Sequence, residues 1–249
     1  MAAALTASVV SAQKGEFHLS IQAAPQLSWL SSTNAAITAS GSQFGIGLGI
    51  HGDYYFSERY ALTAGLVFST NAGGTLQYNK SAAMNILSNT TLANGVANTS
   101  FNTGTKVTYQ NQYVELPIGL KLHTEEVNGM RFFGNLPVVT FAFRTRAQGD
   151  ISGKASYVDN TTIKIDEQVD FKNENIGNDV SIFNLYVGGG AGIEYRLGET
   201  TTAIAGIFYQ HGLINATRQY KYQKDPQTEL TDDASAQLSG LSLRVGVMF

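Results

Sequence analysis

The sequence predicts an all-β chain, an eight-stranded antiparallel transmembrane β-barrel with short turns at one rim and long loops at the other. Three observations predict it. Apolar and polar residues alternate with period two in eight separate stretches, the mark of strands whose two faces meet different surroundings. The polar side of those stretches is rich in glycine and carries charges in mid-strand. The connections between stretches alternate between short and long.

The first stretch, residues 17–29, sets Phe17, Leu19, Ile21, Ala23, Leu27 and Trp29 against His18, Ser20, Gln22, Gln26 and Ser28. The second, 43–56, sets Phe44, Ile46, Leu48, Ile50 and Tyr54 against Gly45, Gly47, Gly49, His51 and Asp53. A turn at 57–59 leads into the third, 60–69, where Tyr60, Leu62, Ala64, Leu66 and Phe68 oppose Thr63, Gly65 and Ser69. In the fourth, 113–123, Val114, Leu116, Ile118, Leu120 and Leu122 oppose Glu115, Gly119 and Lys121. The fifth, 131–145, is apolar on both faces, so its phase stays open. The sixth, 183–197, places Leu185, Val187, Ala191, Ile193 and Tyr195 against Asn184, Gly188, Gly190, Gly192, Glu194 and Arg196. The seventh covers 201–213. The eighth, 241–249, puts Leu241, Leu243, Val245, Val247 and Phe249 on one side and Ser242, Arg244, Gly246 and Met248 on the other.

Short connections fall at 57–59, about 123–130 and 198–200, long ones at about 30–42, 70–106, 147–181 and 215–236. Within the longest, Ala83, Met84 and Leu87 allow one or two helical turns. A compact soluble domain seldom carries four loops of that size. Charged residues make up only 14% of the chain, and 26 glycines help to fill the polar positions instead. The formal charge is −3 with no basic cluster in the sequence, which argues against nucleic acid as a partner. Cysteine is absent, which excludes disulfides, thiolate metal sites and thiol nucleophiles. No run reaches the ~18 apolar residues of a spanning helix. Residues 1–12 read as the remnant of a signal peptide, with Val10-Ser11-Ala12 before a cleavage point, although no basic residue precedes Lys14. A floppy Ala-rich terminus is the alternative. Residues 13–249 then form a single barrel domain.

Mid-strand charge distinguishes this chain from a soluble sandwich. In a small membrane barrel such charges point into the lumen and must pair, while the smooth apolar face meets lipid. An even strand count puts both termini at the periplasmic rim and the long loops outside the cell. Phe249 then ends a lipid-facing row on a last strand that pairs with the first. Aromatics gather at the expected rims: Tyr54, Tyr55, Phe56, Tyr60, Phe132, Phe133 and Tyr195 below, Trp29, Tyr109, Tyr113, Tyr220 and Tyr222 above.

With these residues in view, the chain resembles the PorT-like outer-membrane β-barrel family. The likeness lies in residues 53–69, 112–122, 184–197 and 241–249, most specifically in the Tyr113-Val114-Glu115-Leu116-Pro117 strand followed by Lys121. The resemblance implies a barrel in the cell outer membrane of a diderm bacterium, surrounded by outer-membrane lipid. It links one family member to the type IX protein-secretion pathway and supplies no catalytic residues. A terminal Phe such as Phe249 also resembles the signal read by outer-membrane assembly machinery.

The residues offer no catalytic, cofactor or metal site. His211 lacks the Ser two residues on that a lipid A deacylase-like motif needs, since Leu213 stands there. His18 and His51 have no Asp/Ser arrangement nearby in sequence. The run Gly188-Gly189-Gly190-Ala191-Gly192 lacks the Lys-Ser/Thr of a phosphate loop. Loop carboxylates at 166–170 and 232–235 are solvated charge or a surface Ca²⁺ site, without EF-hand spacing. Glu115, Lys121, Glu194, Arg196 and Arg244 are expected to form a mutually satisfied interior network that fills the lumen. The functional expectation is a non-enzymatic envelope component, structural, accessory or surface-binding. A secretion-pathway component with an envelope partner is the alternative, and a lipid-modifying enzyme the second.

Overall fold

A computed structural model describes residues 16–33, 37–79, 84–85, 87, 90, 97–159, 162–218, 220–225, 228–232 and 235–249. The expected signal remnant at 1–12 lies outside them. In chain order the strands are β1 (Glu16–Ser32), β2 (Ile37–Ser57), β3 (Tyr60–Tyr78), β4 (Met84–Asn85), β5 (Ala97–Phe101), β6 (Thr105–His123) and β7 (Met130–Asp159). They continue with β8 (Thr162–Asn175), β9 (Phe183–Arg196), β10 (Thr202–Asn215), β11 (Tyr220–Asp225), β12 (Thr228–Asp232) and β13 (Ala236–Met248).

Eight of these close a ring, β1-β2-β3-β6-β7-β9-β10-β13 and back to β1, with every neighbour antiparallel. They contain the eight alternating stretches of the sequence. The seam pairs Ile21 with Val247 and Leu27 with Leu241. At its lower end the Phe249 N–H donates to Leu19 O (2.8 Å) and the Leu19 N–H donates to Phe249 O (3.2 Å). Closure leaves no unpaired strand edge in hydrocarbon, where such an edge would cost several kcal/mol per orphaned group. The apolar faces point outward: Leu243 and Val245 are 48% and 41% exposed. A continuous apolar belt of this kind is stable only against lipid.

Strand β6 shows why the barrel outgrows the membrane. Every odd residue from Thr105 to His123 is buried. The even, outward residues change character midway: Lys106, Thr108, Gln110 and Gln112 are polar, and Val114, Leu116, Ile118, Leu120 and Leu122 are apolar. From Val114 to Leu122 a tilted strand rises roughly 20 Å, most of the ~25 Å apolar band of outer-membrane barrels. The inward face changes in the opposite sense, from Val107 and Tyr109 to Glu115 and Lys121. Inside the membrane the lumen is polar; above it the interior is an apolar core.

Much of the four long connections is therefore strand rather than loop. β1 runs to Ser32 and β2 restarts at Ile37, so 30–42 is mostly strand. β7 and β8 form a hairpin through most of 147–175, and β4, β5, β11 and β12 extend the sheet beside upper β7. At Met84–Asn85 a short strand paired with β5 and β11 replaces the expected helical turn, Leu87 lies in a turn, and Ala83 lies outside the described residues.

The open phase of the fifth stretch also has a physical cause. The register of β7 slips between Asn135 and Val138. Phe133 and Asn135 point inward below this bulge, Val138, Thr140 and Ala142 above it. Two residues therefore oppose a shorter stretch of each neighbour, the inward parity switches from odd to even, and both faces look apolar in sequence.

The aromatic rims need correction. Tyr54, Phe56, Tyr60, Phe132 and Tyr195 are exposed at the lower rim, whereas Tyr55 and Phe133 turn inward. Trp29 stacks with Tyr209 near the top of the apolar belt (ring centroids 6.3 Å). Tyr109 and Tyr113 are fully buried and belong to the interior; the side chains of Tyr220 and Tyr222 lie outside the described set.

Candidate functional site

The candidate site is the lumen, which is filled at three successive levels. At the periplasmic level lies an ion cluster contributed by β2, β6, β7 and β9. Lys121 Nζ lies 2.6 Å from Asp53 Oδ2 and 2.5 Å from Glu194 Oε1. The other oxygen of Glu194 accepts from Arg131 Nε, which stands directly opposite it across the β7–β9 ladder. Arg131 Nη2 also donates to Tyr55 Oη (3.1 Å), and Tyr55 Oη meets His123 Nε2 at 3.1 Å. Two carboxylates, Asp53 and Glu194, face two cations, Lys121 and Arg131. The Lys121 and Glu194 side chains have 5% and 0% exposure. At that burial each charge depends on its partners, because desolvating it alone costs several kcal/mol.

Apolar groups share this level. Phe133, Ile204, Phe208 and Met248 form a small cluster, with Lys121 Nζ over the Phe133 ring at 4.8 Å. The glycines of β9 make room for it. A Cβ at Gly190 would lie 2.5 Å from the Phe208 ring, and one at Gly192 would lie 2.7 Å from Phe133 Cε1.

In the middle level Ser69 Oγ donates to Glu115 Oε1 (2.6 Å), and the Arg244 guanidinium carbon sits over the Phe208 ring, 3.9 Å from its centroid. Glu115 and Arg244 face each other across a cavity of about 20 Å³, room for about one water, lined also by Gln22, Gln26, His51 and Gln210. Gly65 shapes this wall, since its Cβ would meet His51 Cδ2 at 2.5 Å. A second cavity of about 10 Å³ adjoins Arg244 and Thr140.

The top level is the apolar core. Leu30, Leu76, Val107 and Ile151 from the staves meet Leu87, Phe101 and Ile176 from the extracellular segments. Tyr78 and Tyr109 share a hydrogen bond between their hydroxyls at 2.8 Å. Burial raises the Tyr109 phenol above its ordinary value, so the pair stays neutral.

Of the residues singled out from sequence, Lys121 and Glu194 meet directly, while Glu115 and Arg244 form a separate group one level up. Arg196 joins neither. It is exposed at the lower rim and pairs with Glu126 of the β6–β7 turn, because the β9 alternation gives way at the turn and Tyr195 and Arg196 are both exposed. Sequence reasoning left out Asp53, Tyr55, His123 and Arg131. The parity of the second and fourth stretches could have found Asp53 and His123; Arg131 was hidden by the bulged fifth. Replacing Arg244 by Leu is expected to lower stability in detergent by roughly 1–3 kcal/mol, through lost cation–π contact and a less compensated Glu115. Arg196→Gln is expected to cost under about 1 kcal/mol, as for other exposed pairs. Urea titration of both variants checks the contrast.

Elsewhere, His211 Nδ1 and Ser239 Oγ are hydrogen-bonded at 2.8 Å between β10 and β13. The expected loop carboxylates Asp166 and Asp170 lie in β8 instead; Asp166 accepts from Asn102 Nδ2 (2.6 Å), and Asp170 pairs with Lys172 (2.9 Å). Asp233 lies outside the described residues. Among the described residues no three His, Asp or Glu side chains gather as a metal site would need.

The family comparison agrees with this architecture. The family described as outer membrane protein beta-barrel domain matches residues 11–218. No curated protein matches. Among solved structures, the Neisserial surface protein A is 11% identical with a TM-score of 0.42, over 93% of this chain and 95% of that one. OprG from Pseudomonas aeruginosa is 8% identical with a TM-score of 0.45, over 94% and 95%. Ail, the attachment invasion locus protein of Yersinia pestis, is 11% identical with a TM-score of 0.37, over 95% and 99%. With most of its length matched by the family, this chain belongs to the outer membrane protein beta-barrel domain family, and its place is the outer membrane.

Proposed function

We propose that the chain is a closed, non-catalytic barrel that anchors a folded β-extension on the cell surface, as an accessory or surface-binding component of the envelope. The observation that carries this reading is the filled lumen: among the described residues it is packed at three levels, with cavities of about 20 and 10 Å³ around Arg244. An ion path needs a continuous wet passage, and eight staves leave room for little more than side chains. In planar bilayers the purified chain is expected to give no conductance steps above baseline; a steady open-channel current would overturn the proposal.

The PorT-like resemblance supports a second reading, participation in type IX secretion. The Tyr113, Glu115 and Pro117 side of its most specific strand points inward, so that likeness follows interior packing rather than a partner surface. Deletion of the gene followed by assay of secreted cargo separates the two readings. A lipid-modifying activity has less support. Ser239, the hydroxyl beside His211, is 2% exposed, and no carboxylate contacts the His211 ring among the described residues. Mass spectrometry of lipid A from a deletion strain tests that activity.

A further inference from the structure

At the top of the apolar belt β7 changes partners. Phe143 is its last residue paired with β9, and from Gln148 upward it pairs with β8. The wall opens there into a cleft of about 420 Å³ lined by Arg144, Thr145, Arg146, Gln148, Asn175 and Asn178, with no carboxylate in its lining.

Of the seven arginines in the sequence, Arg59, Arg131 and Arg196 are ion-paired and Arg244 is stacked in the lumen. The other three gather at this rim. Arg144 donates to Gly177 O (2.9 Å) and Ser181 O (3.3 Å), which fixes the strand connection but leaves guanidinium donors unused among the described residues. Arg146 is exposed and its side chain bonds nothing among the described residues. Arg218 is close enough that its charge acts against that of Arg144. The nearby carboxylates are already engaged: Asp179 takes the Thr90 hydroxyl, and Asp150 accepts from Asn173 N and Gln110 Nε2.

Depth identifies the ligand. Arg146 pairs with Gln112, the first polar outward residue of β6, while Phe143 pairs with Val114, the first apolar one. Directly below the cleft, the rings of Phe143 and Phe183 pack at 5.4 Å, and both are exposed beside Ile182. Unpaired guanidinium groups thus stand at headgroup height over an apolar aromatic surface. Arginine forks match phosphate oxygens in bidentate geometry. We infer that this cleft binds the phosphate group of an outer-leaflet lipid, whose acyl chains run down over Phe143, Phe183 and Ile182.

The test uses the full chain in neutral detergent, with lipid binding read by native mass spectrometry and folding by heat-modifiable gel migration. The probes are phosphorylated lipid A, its dephosphorylated counterpart and inorganic phosphate. Arg146→Gln is expected to weaken phosphorylated lipid A binding by about tenfold or more, as for loss of a charge-assisted bond, and Arg146→Lys by less. Lys106→Gln, which removes an exposed charge higher on β6, is expected to leave binding unchanged. Equal losses from Arg146→Gln and Lys106→Gln would overturn the site in favour of diffuse attraction. Competition by inorganic phosphate at equal concentration would overturn the lipid assignment. Should Arg146→Gln fail to fold, the wild-type chain decides: equal retention of the phosphorylated and dephosphorylated lipids refutes the inference, and about tenfold preference for the phosphorylated one supports it.

Discussion

Glu194→Leu is expected to lower the stability of the barrel in detergent by about 3–5 kcal/mol, the usual cost of breaking a buried ion pair from one side. Glu194 takes both Lys121 and Arg131, and its side chain has no exposure. Its loss leaves the buried Lys121 and the part-buried Arg131 with Asp53 as the remaining carboxylate of the cluster. Lys121→Met alone is expected to be costly for the mirror reason, stranding Asp53 while Glu194 keeps Arg131. The double variant, Glu194→Leu with Lys121→Met, is expected to lose less than the sum of the two, since Arg131 and Asp53 then balance each other. Urea unfolding followed by the fluorescence of Trp29, the single tryptophan, gives the midpoints. Additive losses would show that the cluster does not act as a unit.

The second large effect concerns space rather than charge. A Cβ at Gly192 would sit 2.2 Å from Ala205 O and 2.7 Å from Phe133 Cε1, with backbone on one side and a packed ring on the other. Gly192→Val is therefore expected to cost more than about 4 kcal/mol and to leave no heat-modifiable folded band. On the adjoining strand, a Cβ at Gly134 would meet nothing within 4 Å. Gly134→Val is expected to fold, with a loss below about 1 kcal/mol. Similar behaviour of the two variants would mean that the glycines of β9 are not there to admit Phe133 and Phe208.

The eight staves were legible because the demand on each is local. A strand with lipid on one side and a crowded lumen on the other must alternate, and the alternation in 17–29 or 113–123 needs no knowledge of the neighbours. Reading failed where a single physical rule changed along the strand. Above Gln112 the outward face becomes polar and the inward face apolar, so residues such as Lys106 and Thr108 looked like loop although they lie in β6. Across Leu136 and Pro137 a bulge shifts the parity, which hid Arg131 and turned Phe133 inward. Arg196 failed for a third reason, because at the end of a stave a charge can turn to water instead of the lumen.

The sequence alone therefore determined the class of the barrel, its strand directions and the lipid-facing rows, since these follow from residue type and period two. Which charges meet was decided only by the tertiary structure. Asp53, Lys121, Arg131 and Glu194 come from four strands, and their contact depends on closure and on the register of every intervening ladder. The cleft at Arg144 and Arg146 arises likewise where β7 exchanges β9 for β8, a change of partner that no local pattern encodes. Period fixes which way a side chain points; only the assembled sheet fixes what stands opposite.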